Sequence, residues 1–313
     1  MTAIRPPRIE RGQTLGIVAP AGPVNAQRCR DGLARLGDVF PLKIADSVLG
    51  PHAEGLPGYL AATDDVRAAE FNAMLRDRDV RAILLARGGY GIQRILPKLD
   101  VAALRADPKP IIGFSDATAL LAWAWHAGVR GIHGPMGVQL ASLPASDIAQ
   151  LITLMTEAHA PGIRPWTLAA HGRGRHRGPL VAGNLTMFSL TAGTPWPLPL
   201  AGAIALIEEV GEKPYEIDRY LTQLSLTGEL AKIRAAIIGD FTRCFDQAPP
   251  SGRSDPDDAA ITTVLERLHS AGTPVAVGAP VGHGDRNEAL PFGADSVLDL
   301  DACTLEILEP AVA

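Results

Sequence analysis

Only three cysteines occur in the 313 residues, Cys29, Cys244 and Cys303, an odd number with no C-x-x-C pair. That pattern speaks against a disulfide framework and against a thiolate zinc site. Aromatic residues make up only 5% of the chain, too few for a platform on which nucleic-acid bases could stack. Neither sign of charge is in large excess: 29 Lys+Arg stand against 34 Asp+Glu, a formal net charge of −5. Without a long basic run, a nucleic-acid partner is disfavoured. No apolar stretch reaches the roughly 18 residues of a membrane-spanning helix. The N-terminal MTAIRPPRIERGQTLGIVAP carries charges and prolines where a secretory signal needs apolar residues. These absences predict a soluble, intracellular protein.

What is present is a large apolar fraction, 47% hydrophobic against 20% charged. A full core follows, and the length suits one large or two medium domains. In the first half, short apolar runs alternate with helical patterns: strands at 14–19, 82–85 and 110–113, helices at 25–37, 64–78 and 117–127. Thr63 is the expected N-cap of the helix from Asp64, whose first turn is acidic. Strand and helix in alternation with short loops imply a parallel sheet covered by helices. The stretch 161–179 is rich in Gly, Pro, Arg and His, lacks periodicity, and reads as a linker. Beyond it lie apolar strands at 203–208, 235–239, 275–278 and 304–308, with helices near 216–226 and 258–271. The expectation is an α/β protein. An N-terminal parallel-sheet domain spans 1–160, the linker spans 161–179, and a second, mixed-strand α/β domain spans 180–313.

Gly113-Phe114-Ser115-Asp116-Ala117 stands between a strand and a helix. A serine there can form a nucleophile elbow, its hydroxyl above the sheet edge and the amide of Asp116 aimed at an oxyanion. The competing reading is a serine that only caps the helix. Arg87-Gly88-Gly89-Tyr90-Gly91 also follows a strand. It fits neither the P-loop nor the dinucleotide-binding pattern. It is either a tight turn alone or the source of a second oxyanion donor, Gly88 or Gly89. A serine nucleophile needs a base, and the base needs an orienting acceptor. Of eight histidines, His283 leads, because it sits between glycines just after the strand VAVG. His133 lies in the loop GIHGPM, while His126 sits on an apolar helix and reads as core or interface. Glu208 and Glu209 end an apolar strand, where a buried carboxylate needs a partner. One of the two is expected to hold the imidazole and the other to face solvent. No metal-ligand spacing appears, so the chemistry reads as metal-free, with no cofactor.

Seven segments occur in one order: VAPAGPV, LLARGGYG, IIGFSDATALL, HGPM, GPLVAGNLT, IEEVGEKPYEIDRYLTQL and PVGHGDRNEALPFG. From about residue 12 to 310 the chain thereby resembles the LD-carboxypeptidase family, also called muramoyltetrapeptide carboxypeptidases. The resemblance implies a triad of Ser115, His283 and Glu208, with the oxyanion held by the amides of Gly89 (or Gly88) and Asp116. Arg87, Gly88 and Tyr90 would then contact substrate, with Arg87 and nearby amides favouring its terminal carboxylate. It also implies two domains, the serine on the first and the Glu and His on the second, usually in a homodimer. The activity so implied is hydrolysis of the amide between an L-centre and a C-terminal D-amino acid. In cell-wall recycling this turns a murein tetrapeptide into a tripeptide plus D-Ala. Two alternatives stand beside it: a microcin-immunity-type peptidase cleaving aminoacyl or peptidyl nucleotides, and a non-catalytic binder of cell-wall peptides.

Overall fold

The computed structural model describes residues 3–52, 54–246 and 258–313. Within these the chain forms two units, each built on its own sheet.

In the first unit, the apolar runs become strands with nearly every residue buried, as expected of a sheet covered on both faces. The strand order is Leu290–Pro291, Ile132–His133, Ile111–Gly113, Val80–Leu85, Thr14–Val18, Leu42–Ile44. All neighbours are parallel except Leu290–Pro291, which runs antiparallel at one edge. The helix Asp64–Arg76 starts where expected: the Thr63 hydroxyl accepts the Val66 amide at 3.3 Å. The helix Ala117–His126 leaves the sheet directly behind Ser115 and is buried along most of its length. His126, expected in the core or an interface, sits exposed in its last turn. The first unit runs to His159 and also includes Glu288–Gly293 and Pro310–Ala313. The chain therefore returns to it twice; Ala313 exchanges backbone hydrogen bonds with Pro6 and Arg8 at 2.9 and 3.2 Å.

The second unit is an eight-stranded mixed sheet. Its order is Gly162–Ile163, Thr304–Ile307, Asp295–Asp299, Arg175–Asn184, Ile204–Val210, Ala235–Thr242, Val275–Val277, Ala169–His171. Its centre, from Arg175–Asn184 to Val275–Val277, is parallel, and the outer pairs are antiparallel. The helices Pro214–Leu226 and Ala259–Ser270 follow the central strands.

The expected linker at 161–179 is a correction. Those residues supply two edge strands and the start of the long strand Arg175–Asn184. Two of its basic residues, Arg175 and Arg177, are exposed but pair across the strands with acids. Arg177 makes a two-point contact with Asp295, its Nε 2.9 Å from one carboxylate oxygen, and Arg175 lies 3.3 Å from Asp299. Positions 175 and 177 share one face of the strand, so the acids of the antiparallel neighbour meet them there. The expected C-terminal domain at 180–313 likewise loses residues 288–293 and 310–313 to the first unit.

One close approach sets a limit on packing in the first unit. The helix Ala26–Gly37 lies against the short helix Gly137–Leu140, and a methyl group on Gly32 would run into the Gly137 carbonyl oxygen. Because the obstacle is backbone, Gly32→Ala should cost about 1–3 kcal/mol. Scanning calorimetry should show Tm falling by at least about 3 °C; an unchanged Tm would mean the two helices can separate freely.

Candidate active site

Ser115 stands on the turn between the strand Ile111–Gly113 and the helix Ala117–His126. Its φ of 61° lies in the left-handed region, which a residue with a Cβ enters only at a cost of about 1–3 kcal/mol. The turn fits because its neighbours are small: a Cβ on Gly113 would stand 2.8 Å from the Ala117 Cβ. Ser115 does not occupy the N-cap position of the helix; Asp116 does. Asp116 leaves its own helix uncapped and instead accepts the Ile92 amide at 2.9 Å, just past the glycine-rich turn.

That turn comes close to the serine. A Cβ on Gly88 would lie 3.0 Å from the Ser115 Cβ and 3.1 Å from its Oγ, so any larger residue there would crowd the serine. Gly89 and Gly91 have φ of 109° and 123°. Among the described residues of this unit, the amides of Gly89 and Asp116 have no hydrogen-bond acceptor. Arg67, an unremarkable position in the sequence, is buried beneath the turn. Its guanidinium donates to the carbonyls of Pro20 and Gly91, the latter at 3.0 Å, and pairs with Asp64. Arg87 is exposed and donates to the Pro23 carbonyl at 2.6 Å, while Tyr90 packs edge-on against Tyr59. His133 is buried in the strand beside Gly113, edge-on to Phe114.

In the second unit, Glu208 and His283 meet. The imidazole Nδ1 lies 2.6 Å from the Glu208 Oε2. Glu208 is fully buried, and His283 is partly so. A carboxylate can only accept, so Nδ1 carries the proton and Nε2 keeps its lone pair. Burial alone would push the His283 pKa down. The charge and hydrogen bond of Glu208 outweigh it, holding the imidazole above its usual 6.5.

One of the two glutamates was expected on the surface, yet both are buried, Glu209 at 2% exposure. Adjacent strand residues point to opposite faces, and Glu209 finds its own donors there. Asn184 Nδ2 donates to it at 2.7 Å, the Thr186 amide and hydroxyl at 2.8 Å, and the Val210 amide at 2.8 Å. Burial and the neighbouring Glu208 charge push its pKa up. Sequence reasoning missed Asp240, which also lies near the end of an apolar strand and accepts the Gly284 amide at 3.2 Å. The signal that singled out Glu208 was present in AAIIGD too. Cys29 and Cys244 are buried, their thiols pushed up to about 11 and about 12, which keeps both as inert thiols near neutral pH. Among the described residues no cluster of three or more His, Cys, Asp or Glu could hold a metal ion. No helix among them is long and apolar enough to cross a membrane.

Burial pushes the Asp116 carboxyl from 3.8 to about 6, against the opposing pull of the Ile92 amide and Arg67. A carboxyl whose folded pKa is raised favours the protonated form on folding. The folded state therefore carries a penalty above about pH 6, which is relieved as pH falls toward 3.8. Asp116→Asn removes this titration. Its Tm relative to wild type should be highest near pH 8 and should fall steadily between pH 6 and 4. A Tm difference that stays constant with pH would contradict a raised pKa.

Comparison with known proteins places the two halves of the chain in one family. The family model for the LD-carboxypeptidase N-terminal domain matches residues 15–134, and that for the C-terminal domain matches residues 177–298. The chain is 35% identical to a putative carboxypeptidase of Streptomyces coelicolor, covering 99% of this chain and 97% of that one. It is 32% identical to the murein tetrapeptide carboxypeptidase of Pseudomonas aeruginosa, over 81% and 84% of the two chains. Its fold is similar to a solved structure of the microcin C7 self-immunity protein in complex with aspartyl sulfamoyl adenosine. The TM-score there is 0.85 at 26% identity, over 99% and 100% of the two chains. Through both of its domain matches and these relatives, the chain belongs to the LD-carboxypeptidase family of serine-type peptidases.

Proposed function

We propose that this protein is a carboxypeptidase that removes the terminal D-Ala from a murein tetrapeptide, with Ser115 as nucleophile, His283 as base and Glu208 as the acceptor that orients it. The observation that carries the reading is the 2.6 Å contact between the His283 Nδ1 and the buried Glu208 carboxylate. It fixes the tautomer that leaves Nε2 able to take a proton. Ser115 gives up its hydroxyl proton to Nε2 and attacks the carbonyl before D-Ala. The Glu208 carboxylate stabilises the imidazolium that results. The amides of Gly89 and Asp116 hold the tetrahedral oxyanion, a role supported by their lack of acceptors within the first unit. The imidazolium then protonates the leaving amine, and water, activated by His283, releases the acyl group. Exposed Arg87 beside the glycine turn, with Gly88 and Tyr90, would meet the substrate carboxylate. The reading includes a cytoplasmic location and a homodimer, as the family resemblance implies.

The similarity to the microcin C7 self-immunity protein favours a second reading, cleavage of an aminoacyl nucleotide. One incubation separates the two: murein tetrapeptide, its C-terminal amide and an aminoacyl sulfamoyl nucleotide, with products identified by mass. The expected outcome is release of D-Ala from the free-acid tetrapeptide, at least about tenfold faster than cleavage of the amide. Turnover of the nucleotide alone would overturn the murein reading.

Ser115→Ala should lower kcat by roughly 10³-fold or more while circular dichroism stays native. Wild-type turnover in that variant would remove the nucleophile assignment. The base must be neutral to accept a proton, so kcat/KM should rise with pH through an acid limb above pH 6.5, the usual value from which His283 is raised. In Glu208→Gln the charge that raises the imidazole pKa is gone. The limb should move to lower pH while kcat drops; a limb that moves upward would contradict the pairing.

A further inference from the structure

Asp240 and the loop that carries His283 are joined at two points. The Asp240 amide donates to the Val281 carbonyl at 2.9 Å. The Asp240 carboxylate accepts the Gly284 amide at 3.2 Å. The residue two before His283 and the residue one after it are thus tied to the same side chain and backbone. Between them, the Gly282 amide is held by Asn287 Oδ1 at 3.2 Å.

The strand is shaped for this contact. Where Ala235–Thr242 runs beside Ile204–Val210, Ile238 pairs with Ile207 and Phe241 with Glu209, so two residues, Gly239 and Asp240, oppose Glu208 alone. A bulge of this kind re-aims side chains and interrupts pairing. It leaves the Asp240 amide to bond the loop instead of the next strand. Glycines let the loop lie flat on it. A Cβ on Gly239 would strike the Val281 carbonyl oxygen, and one on Gly284 would stand 2.5 Å from Asp240 Oδ2. Gly282, at φ 144°, has room for no Cβ either, with the Asp240 Cβ at 2.9 Å and the Glu208 Cβ at 3.2 Å. Gly282 therefore packs against both carboxylate residues, the one that holds the imidazole and the one that holds the loop.

We propose that Asp240 is a positioning residue: by clamping Val281 and Gly284 it fixes the loop so that the His283 imidazole stays on the Glu208 carboxylate. The assignment rests on the reading of His283 as the base. The charged and titratable groups facing Asp240 are Glu208 from the neighbouring strand and His283 and Asp285 from the loop; Glu209 and Arg243 also act on His283. Burial and the Glu208 charge raise the Asp240 pKa, while the Gly284 amide and His283 oppose the rise. A hydrogen-bond clamp and a pure charge effect make different demands on the side chain. Asparagine keeps an acceptor for the Gly284 amide and loses the charge; alanine loses both.

The test compares Asp240→Ala, Asp240→Asn and Gly284→Ala in the full chain, the last of which crowds the carboxylate without touching Asp240. Two readouts are taken: the imidazole Nδ1 proton of His283 by NMR, and kcat and KM on murein tetrapeptide. Expected are loss or broadening of the Nδ1 proton signal in Asp240→Ala and Gly284→Ala, and its retention in Asp240→Asn. In the two damaged variants kcat should fall by about tenfold or more with KM nearly unchanged, and asparagine should recover most of it. A native Nδ1 signal together with wild-type kcat in Asp240→Ala would overturn the proposal. So would an asparagine variant as damaged as alanine. If no variant, nor wild type, cleaves the tetrapeptide, the functional reading fails while the NMR signal still decides the clamp.

Discussion

A carboxylate with no solvent exposure must be compensated inside the protein, and Glu208 is one. The strand that carries it is otherwise apolar in that stretch, Ile204 to Ile207, and offers no donor of its own. Among the described residues its Oε1 has no hydrogen-bond partner, so compensation falls on Oε2 and the His283 imidazole. The loop 278–284 has to deliver that imidazole to within hydrogen-bond distance of a strand two places away in the sheet. Its glycines, its contact with the bulged strand and the Asn287 side chain all follow from that one requirement. The pair is thus structural and chemical at once: the charge that would be intolerable alone raises the basicity of the histidine.

The first unit works by strain where the second works by charge. Ser115 is held in a left-handed conformation that nothing in its own chemistry favours. The surroundings over-determine it: a three-residue strand on one side, a buried helix on the other, and Gly88 pressed against its side chain. Beneath, Arg67 and Asp116 hold the residues Gly91 and Ile92 from two directions, one donating to a carbonyl and one accepting an amide. Glycine at 89 and 91 leaves the turn loose in principle; these two buried ionic side chains make it definite. The same small residues that permit the strain at Ser115 let neighbouring amides approach it.

Much of this was legible in the sequence because the period of apolar residues carries it. The strands at 14–18, 80–85, 204–210 and 235–242 and the helices from Asp64 and Ala117 fall within a few residues of their expected places. What failed did so for stated physical reasons. The strand Arg175–Asn184 was hidden because its first residues, Arg175, His176 and Arg177, read as solvated charge until Asp295 and Asp299 are seen on the neighbouring strand. The return of Leu290–Pro291 to the first sheet involves two residues, too few for any periodic signal. Arg67 sits on a helix whose apolar and polar residues are poorly segregated, so its burial could not be read from pattern. Ser115, on the turn after Ile111–Gly113, and His283, in the loop after Val275–Val277, stand at the strand ends where the apolar runs of the sequence stop.

The choice between Glu208 and Glu209 shows where sequence reasoning runs out. The residues are chemically identical, adjacent, and both buried. Alternation along the strand guarantees only that they face opposite ways. The number of donors separates them. Glu209 lies at the start of the helix Leu185–Thr191, where the N-cap Asn184, the Thr186 amide and hydroxyl, and the Val210 amide satisfy it. A carboxylate saturated by neutral donors is fixed in place, and its lone pairs are already committed. Glu208 has only the imidazole, a donor that can change its charge. The carboxylate with the fewest fixed partners is therefore the one paired with a group that can change its charge, and the crowded one holds the helix Leu185–Thr191 to the sheet.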